Sequence, residues 1–297
     1  MRLSLVTGGL VVTLLLGLGL GWVVHTPRPA DGGVAGGDGE STHSHSHVSG
    51  PASTAGVPSP AVAEAGGLTA SVAGYTLTLE KSVAPAGVPF TLRFQIIGPD
   101  SEPAREYAQV HGMPLHLVVV RHDLSGYQHL HPRLDDNGTW SVELTFPEPG
   151  TWRVYADFTV LPADAAPLPL VLGADLTVPG DDTPHPLPPA QQEINVDGFQ
   201  VSYQGTPGTE AVQPLLFRIQ RDGQPVQLQP YLEAYGHLIV LRDGDLGYVH
   251  VHTEDALHQG ALRVWLAAPG PGTYRMYLDF QVDDQVHTAT FTVVVPS

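Results

Sequence analysis

Gly236-His-Leu-Ile-Val-Leu-Arg-Asp-Gly-Asp-Leu-Gly-Tyr-Val-His-Val-His252 reads as a β-hairpin that carries three histidines. His237 opens an apolar run, Asp243-Gly244 is a two-residue turn signal, and His250 and His252 lie on the return strand. Side chains alternate along a strand, so His250 and His252 share a face, with Tyr248 beside them. A turn centred on Asp243-Gly244 sets His237 opposite His250 and diagonal to His252, with opposed Cβ atoms about 5 Å apart. Three imidazoles on one patch can close on a metal ion.

The stretch occurs twice. His116-Leu-Val-Val-Val-Arg-His-Asp-Leu-Ser-Gly-Tyr-Gln-His-Leu-His131 has the same spacing, and His116, His129 and His131 precede His237, His250 and His252 by 121 positions (237 − 116, for example). The flanks repeat as well. Val72-Ala-Gly-Tyr-Thr-Leu77 matches Val196-Asp-Gly-Phe-Gln-Val201, and Gly150-Thr-Trp-Arg-Val-Tyr-Ala-Asp-Phe158 matches Gly272-Thr-Tyr-Arg-Met-Tyr-Leu-Asp-Phe280. This is a tandem duplication of one domain.

Within the first copy, short alternating segments at Gly74–Glu80, Pro89–Ile96, Leu115–Arg121, Tyr127–His131, Thr139–Phe146, Thr151–Phe158 and Leu170–Val178 are separated by Pro/Gly turns. Strands at this density with no amphipathic helix predict an all-β chain of tandem immunoglobulin-like β-sandwiches, spanning residues 68–178 and 191–297 and joined by a Pro-rich linker, 179–190. Ahead of them, Leu3–Val24 is an uncharged apolar run of 22 residues, long enough to cross a bilayer, with Arg2 on its short N-terminal side. Residues 1–24 are therefore expected to form an uncleaved signal-anchor, with removal of a signal peptide and secretion as the alternative; both export the remainder. Residues 25–67 are rich in Gly, Ala, Pro, Ser and Thr, a composition that cannot order itself, and form a disordered tether. His43, His45 and His47 within it make a short tract that can hold metal loosely.

The chain has 13 Lys+Arg against 30 Asp+Glu, a formal charge of −17 that argues against nucleic acid as a partner. It has no cysteine, so any metal site draws on imidazole, carboxylate or thioether.

Strand faces supply a fourth candidate in each copy. Trp152, Val154, Ala156 and Phe158 belong in the core, which turns Asp157 outward; Leu130 suits the core, which turns His129 and His131 outward. Immunoglobulin strand order then places His116, His129, His131 and Asp157 on one outer face, and His237, His250, His252 and Asp279 on its counterpart. Such sets suit Zn(II) or Cu(II), with His111 and Met113 as added contacts for Cu(I). Asp157 and Asp279 are expected as ligands, as acceptors orienting an imidazole, or in surface ion pairs with Arg153 or Arg121. A metal-free stack of the histidines with Tyr127 and Tyr248 is the plainer reading. His122, His185, His258 and His287 read as ordinary surface residues.

The hairpin motif followed by Gly-Thr-Tyr-Arg-Met-Tyr-Leu-Asp-Phe resembles a family of bacterial exported two-repeat proteins loosely catalogued as heavy-metal-associated. The resemblance runs from Gly74 to the C-terminus. It departs at Thr253, where that family has proline as at Pro132, a change expected to loosen the strand end beside His252. The expectation is a membrane-tethered binding protein that captures or buffers copper or zinc and passes it to a membrane metal transporter. A metal-dependent enzyme and a metal-free adhesion or partner-binding module are the alternatives. No nucleophile motif occurs, and apart from the histidines the aspartates are the one acid or base singled out at matching positions in both copies.

Overall fold

The computed structural model describes residues 64–296, apart from His250 and the side chain of His252. The expected anchor, nearly all of the tether and His43, His45 and His47 lie outside the described residues. Among the described residues there is no helix, and so none that could cross a membrane. The fold is all-β.

In the first repeat one sheet runs β2 (Ser71–Val72), β3 (Tyr75–Leu79), β4 (Pro89–Ile97), β9 (Thr139–Thr145), β8 (Arg133–Leu134). The other runs β11 (Leu168–Val178), β10 (Gly150–Val160), β6 (Leu115–Arg121), β7 (Gln128–Leu130), with β5 (Tyr107–Ala108) on the end of β10. Four-stranded A-B-E-D against G-F-C is the immunoglobulin partition. The second repeat copies it. One sheet is β12 (Glu193–Val196), β13 (Phe199–Gln204), β14 (Gln213–Arg221), β19 (Leu262–Leu266), β18 (Val251–Thr253), with β15 (Gln224–Pro225) on β14. The other is β21 (Gln285–Val295), β20 (Gly272–Val282), β16 (Gly236–Arg242), β17 (Tyr248–Val249), β1 (Ala65–Gly66). Each sandwich closes on its own aromatic core: Phe94, Trp140, Phe146 and Trp152 in the first, Phe199, Phe217, Phe280 and Phe291 in the second.

A third core lies between the repeats. Val118, Val120, Leu124 and Tyr155 of the first pack with Ile239, Leu241, Leu246, Tyr248 and Tyr277 of the second. The polar contacts across it are reciprocal, as in an isologous interface. Tyr155 donates to the Leu246 carbonyl and Tyr277 to the Leu124 carbonyl, both at 2.6 Å. The face that alternation turned outward is thus covered by the other repeat. His116, His237 and Asp279 are all buried.

The hairpin register corrects one expectation. Val118 pairs with His129 and Leu117 with Leu130, so His116 is diagonal to His129 rather than opposite it. In the second repeat Leu241 pairs with Tyr248 and Val240 with Val249. The loop is not a two-residue turn on Asp243-Gly244. It spans 243–246 and is closed by Arg242 N–H to the Gly247 carbonyl. Asp245 builds it by accepting the Gly247 N–H and the Arg242 guanidinium. The return strand also ends sooner than expected: β17 stops at Val249, and His252 lies on β18, paired with Trp265 in the opposite sheet rather than on the His237 hairpin.

The chain entering the first repeat straps the two together. β1 pairs with β17 of the second repeat, Ala65 with Val249 and Gly66 with Tyr248. The next residue, Gly67, donates its N–H to the Val171 carbonyl of the first repeat and accepts from Arg153 Nη1. Gly173 makes room for this: a Cβ there would lie 1.9 Å from the Gly67 carbonyl oxygen. Gly173→Ala is expected to push the strap off its seat at a cost of about 1–3 kcal/mol, seen as a lower melting temperature. An unchanged melting temperature would show that the strap is not tightly seated.

Candidate functional site

Each central histidine is fixed by a turn just before its strand. His116 Nε2–H donates to the Val110 carbonyl and His237 Nε2–H to the Tyr231 carbonyl, both at 2.9 Å. The turns Val110–Met113 and Tyr231–Ala234 close on themselves by matching backbone bridges. In the second, Leu232 and Glu233 hold φ of 51° and 62°, a left-handed pair that costs non-glycine residues about 1–3 kcal/mol each.

With its Nε2 proton committed to a carbonyl, neutral His116 presents a lone pair on Nδ1. His129 Nε2 lies 3.1 Å from that atom, and His129 Nδ1 lies 2.9 Å from Asp279 Oδ2. Asp279 belongs to the second repeat. Its Oδ2 also accepts from Tyr127 at 3.0 Å, and its Oδ1 accepts from Thr288 at 2.6 Å. The mirror contact is Tyr248 donating to Asp157 Oδ2 at 3.0 Å. For both contacts of His129 to be hydrogen bonds, it donates from both nitrogens. A cation seated between His116 Nδ1 and His129 Nε2 would take the place of the shared proton.

His131 completes the set. One ring nitrogen from each of His116, His129 and His131 lies within 4.8 Å of the others. The buried Nε2 of His131 finds no hydrogen-bond partner among the described residues. The ring centroids are 5.3, 5.1 and 4.8 Å apart. A tetrahedral zinc with metal–nitrogen bonds of about 2.0–2.1 Å needs its nitrogens about 3.3–3.4 Å apart; His116 Nδ1 and His129 Nε2, at 3.1 Å, are close to that spacing, and the whole set closes to within 4.8 Å. His237 stands further off, at 6.2 Å from His116 and 6.0 Å from His129, and His111 lies 5.1 Å from His237 and 6.3 Å from His116. A cavity of about 110 Å³ between the repeats is lined by His111, Met113, His116, His129, Asp157 and His237.

Burial sets the charge state. It pushes His116 down to about 3, against the Val110 carbonyl and with help from neighbouring imidazoles, and pushes His131 and His237 down to about 4. These three are neutral at pH 7, the form that ligates metal. The unfolded chain would bind protons below about pH 6.5, which the folded one refuses, so stability is full above that value and falls toward pH 4 and below. Metal-free protein should lose melting temperature progressively over that range. A level midpoint down to about pH 4.5 would contradict it.

The structure brings together His116, His129, His131 and, from the other repeat, Asp279. Asp279 is the Cα partner of His237 and Asp157 that of His116, as the strand faces implied, yet Asp279's carboxylate meets His129 across the interface. Arg121 and Arg153 pair with Asp123, Asp182 and Asp175. His250 and the side chain of His252 lie outside the described residues. His122 and His185 sit on the surface against Asp175 and Glu148, whereas His287 is largely covered, packed on Phe199 and Phe280. Sequence reasoning missed Tyr155, Tyr277 and the interface they close, although Val118, Val120, Ile239 and Leu241 make β6 and β16 apolar on both faces, a pattern of strands covered twice.

Fold and site define a tandem immunoglobulin-like protein with a buried histidine cluster where its repeats meet. A family profile described as "Domain of unknown function (DUF8832)" matches residues 70–165 and 194–297, one segment in each sandwich. The chain belongs to that family. Its description names no metal, so the heavy-metal association implied by the motif resemblance gains no support from it. No curated protein matches the chain. Solved structures with some likeness include FdeC, an Escherichia coli adhesin (14% identity, 76% of this chain and 65% of that one, TM-score 0.26). Others are the D0-D1 domain of intimin (13%, 74% and 97%, 0.23) and the tandem Ig repeats of Dlar (9%, 74% and 97%, 0.20). This chain therefore spans just under two thirds of the FdeC chain. Scores this low carry no argument; the immunoglobulin-like topology stands on its strand order.

Proposed function

We propose that the paired sandwiches form a non-catalytic extracytoplasmic binding module in which His116, His129 and His131 capture a transition-metal ion, copper or zinc. The observation that supports this reading is the triad itself: three imidazoles whose ring nitrogens gather within 4.8 Å, one of them buried and without a hydrogen-bond partner among the described residues. The duplication extends the proposal to His237, His250 and His252. The apolar run Leu3–Val24 would tether the module to the membrane, and a membrane metal transporter would be the recipient.

A second reading has its own support. The cluster closes a hydrogen-bond chain from Val110 through His116 and His129 to Asp279 without any ion, so it can serve purely as a polar rivet between repeats. The protein would then be a metal-free adhesion or partner-binding module. The enzyme reading gains less, because Asp279 is already engaged by Tyr127, His129 and Thr288.

Metal content after loading and dialysis separates the two. The capture reading expects a tightly held equivalent that disappears when His116, His129 and His131 are all replaced by alanine. Wild type retaining less than about a tenth of an equivalent would end it and leave the metal-free module.

A further inference from the structure

We propose that the second repeat is a working part of the first repeat's metal site. Asp279 acts as the positioning residue for His129, and metal capture and docking of the repeats form one coupled equilibrium. This rests on the metal-capture reading above.

A ligating imidazole needs one nitrogen toward the ion and the other held, and a carboxylate holding that second N–H fixes the ring's orientation and raises its basicity. His129 has this arrangement: Nε2 faces the triad and Nδ1 meets Asp279 Oδ2 at 2.9 Å. The carboxylate is itself fixed, by the Tyr127 hydroxyl at 3.0 Å and the Thr288 hydroxyl at 2.6 Å. Two of its three donors, Tyr127 and His129, come from the first repeat. Both Asp279 and His129 have nearly inaccessible side chains, 4% and 5% exposed, so water cannot readily substitute for either. Among the described residues His116 and His131 have no comparable link: His116 is held by Val110 of its own repeat.

The coupling then follows. If docking raises metal affinity by some factor, the metal tightens docking by the same factor. Undocked, the triad keeps three imidazoles but loses the group that orients one of them. The sheet register makes this assignment specific to Asp279. Asp279 lies beside His237 in its own sheet, yet its carboxylate is bonded across the interface.

The test is zinc and copper affinity of the full chain by chelator competition, with melting temperature recorded with and without metal, for wild type, Asp279→Ala, Asp279→Asn and Tyr127→Phe. Asp279→Ala should weaken binding about 10–100-fold and shrink the metal-induced rise in melting temperature. Asp279→Asn, whose amide oxygen can still accept the Nδ1 proton, should recover part of the affinity, and Tyr127→Phe should fall between it and wild type. The Co(II) absorption spectrum should change in the alanine variant and revert toward wild type in the asparagine one, which a merely structural loss would not produce. Asp279→Ala and Asp279→Asn both binding as tightly as wild type would overturn the inference while leaving the triad as a metal site. No binding by wild type itself would overturn the capture reading and this inference with it.

Discussion

Replacing His116 by alanine is expected to lower zinc or copper affinity roughly 10²- to 10³-fold. Structural zinc sites bind with about 10–16 kcal/mol shared among four ligands, and each 1.4 kcal/mol is a factor of ten, so one lost imidazole sets that scale. His116 is chosen because it is the most constrained of the three: buried on β6, tied to Val110 through Nε2 and facing His129 through Nδ1. The substitution also leaves the Val110 carbonyl and His129 Nε2 without their partner, at about 1–3 kcal/mol of stability each. A melting curve must therefore accompany the titration, with affinity compared at a temperature where both proteins are folded. If the folded variant binds like wild type, the ion sits elsewhere, and the His43, His45, His47 tract becomes the first place to look.

Tyr277→Ala carries the largest expected effect on stability, about 3–5 kcal/mol, the range for removing a large buried aromatic. The Tyr277 ring is 1% exposed and stacks on Tyr127 with centroids 4.1 Å apart and planes 6° from parallel. Its hydroxyl reaches the Leu124 carbonyl of the other repeat. The loss should fall on docking more than on either sandwich, because Tyr277 lies in the cluster between the repeats and not in the core of its own. Calorimetry should show one transition in wild type and two in the variant, as the repeats uncouple. Tyr277→Phe keeps the ring and leaves one carbonyl unpaired, so its cost should be nearer about 1–3 kcal/mol. A variant that unfolds in a single, equally high transition would mean that the interface contributes little.

The sandwich and its duplication were legible because alternation is a local property. Trp152, Val154, Ala156 and Phe158 mark the core face of β10 with no knowledge of their partners, and that parity placed Asp157 and Asp279 beside His116 and His237. Register was not legible. It depends on how the loop closes, and Asp245 drew four residues into a turn that Asp243-Gly244 alone would have made in two. What covers an outward face was not legible from polar residues either, since His116, His129 and Asp279 look the same on a wet surface and in a buried seam. The clue lay between them, in Val118, Val120, Ile239 and Leu241, which no solvent-facing strand would carry.

The strap has a mechanical consequence. Any tension arriving through the residues before Glu64 meets β1 first. There the backbone is bonded to Val249 and Tyr248 of the second repeat, and one residue later to Val171 of the first. A pull on the backbone at Glu64 would thus be divided between both sandwiches at their seam instead of being handed along the chain from the first to the second.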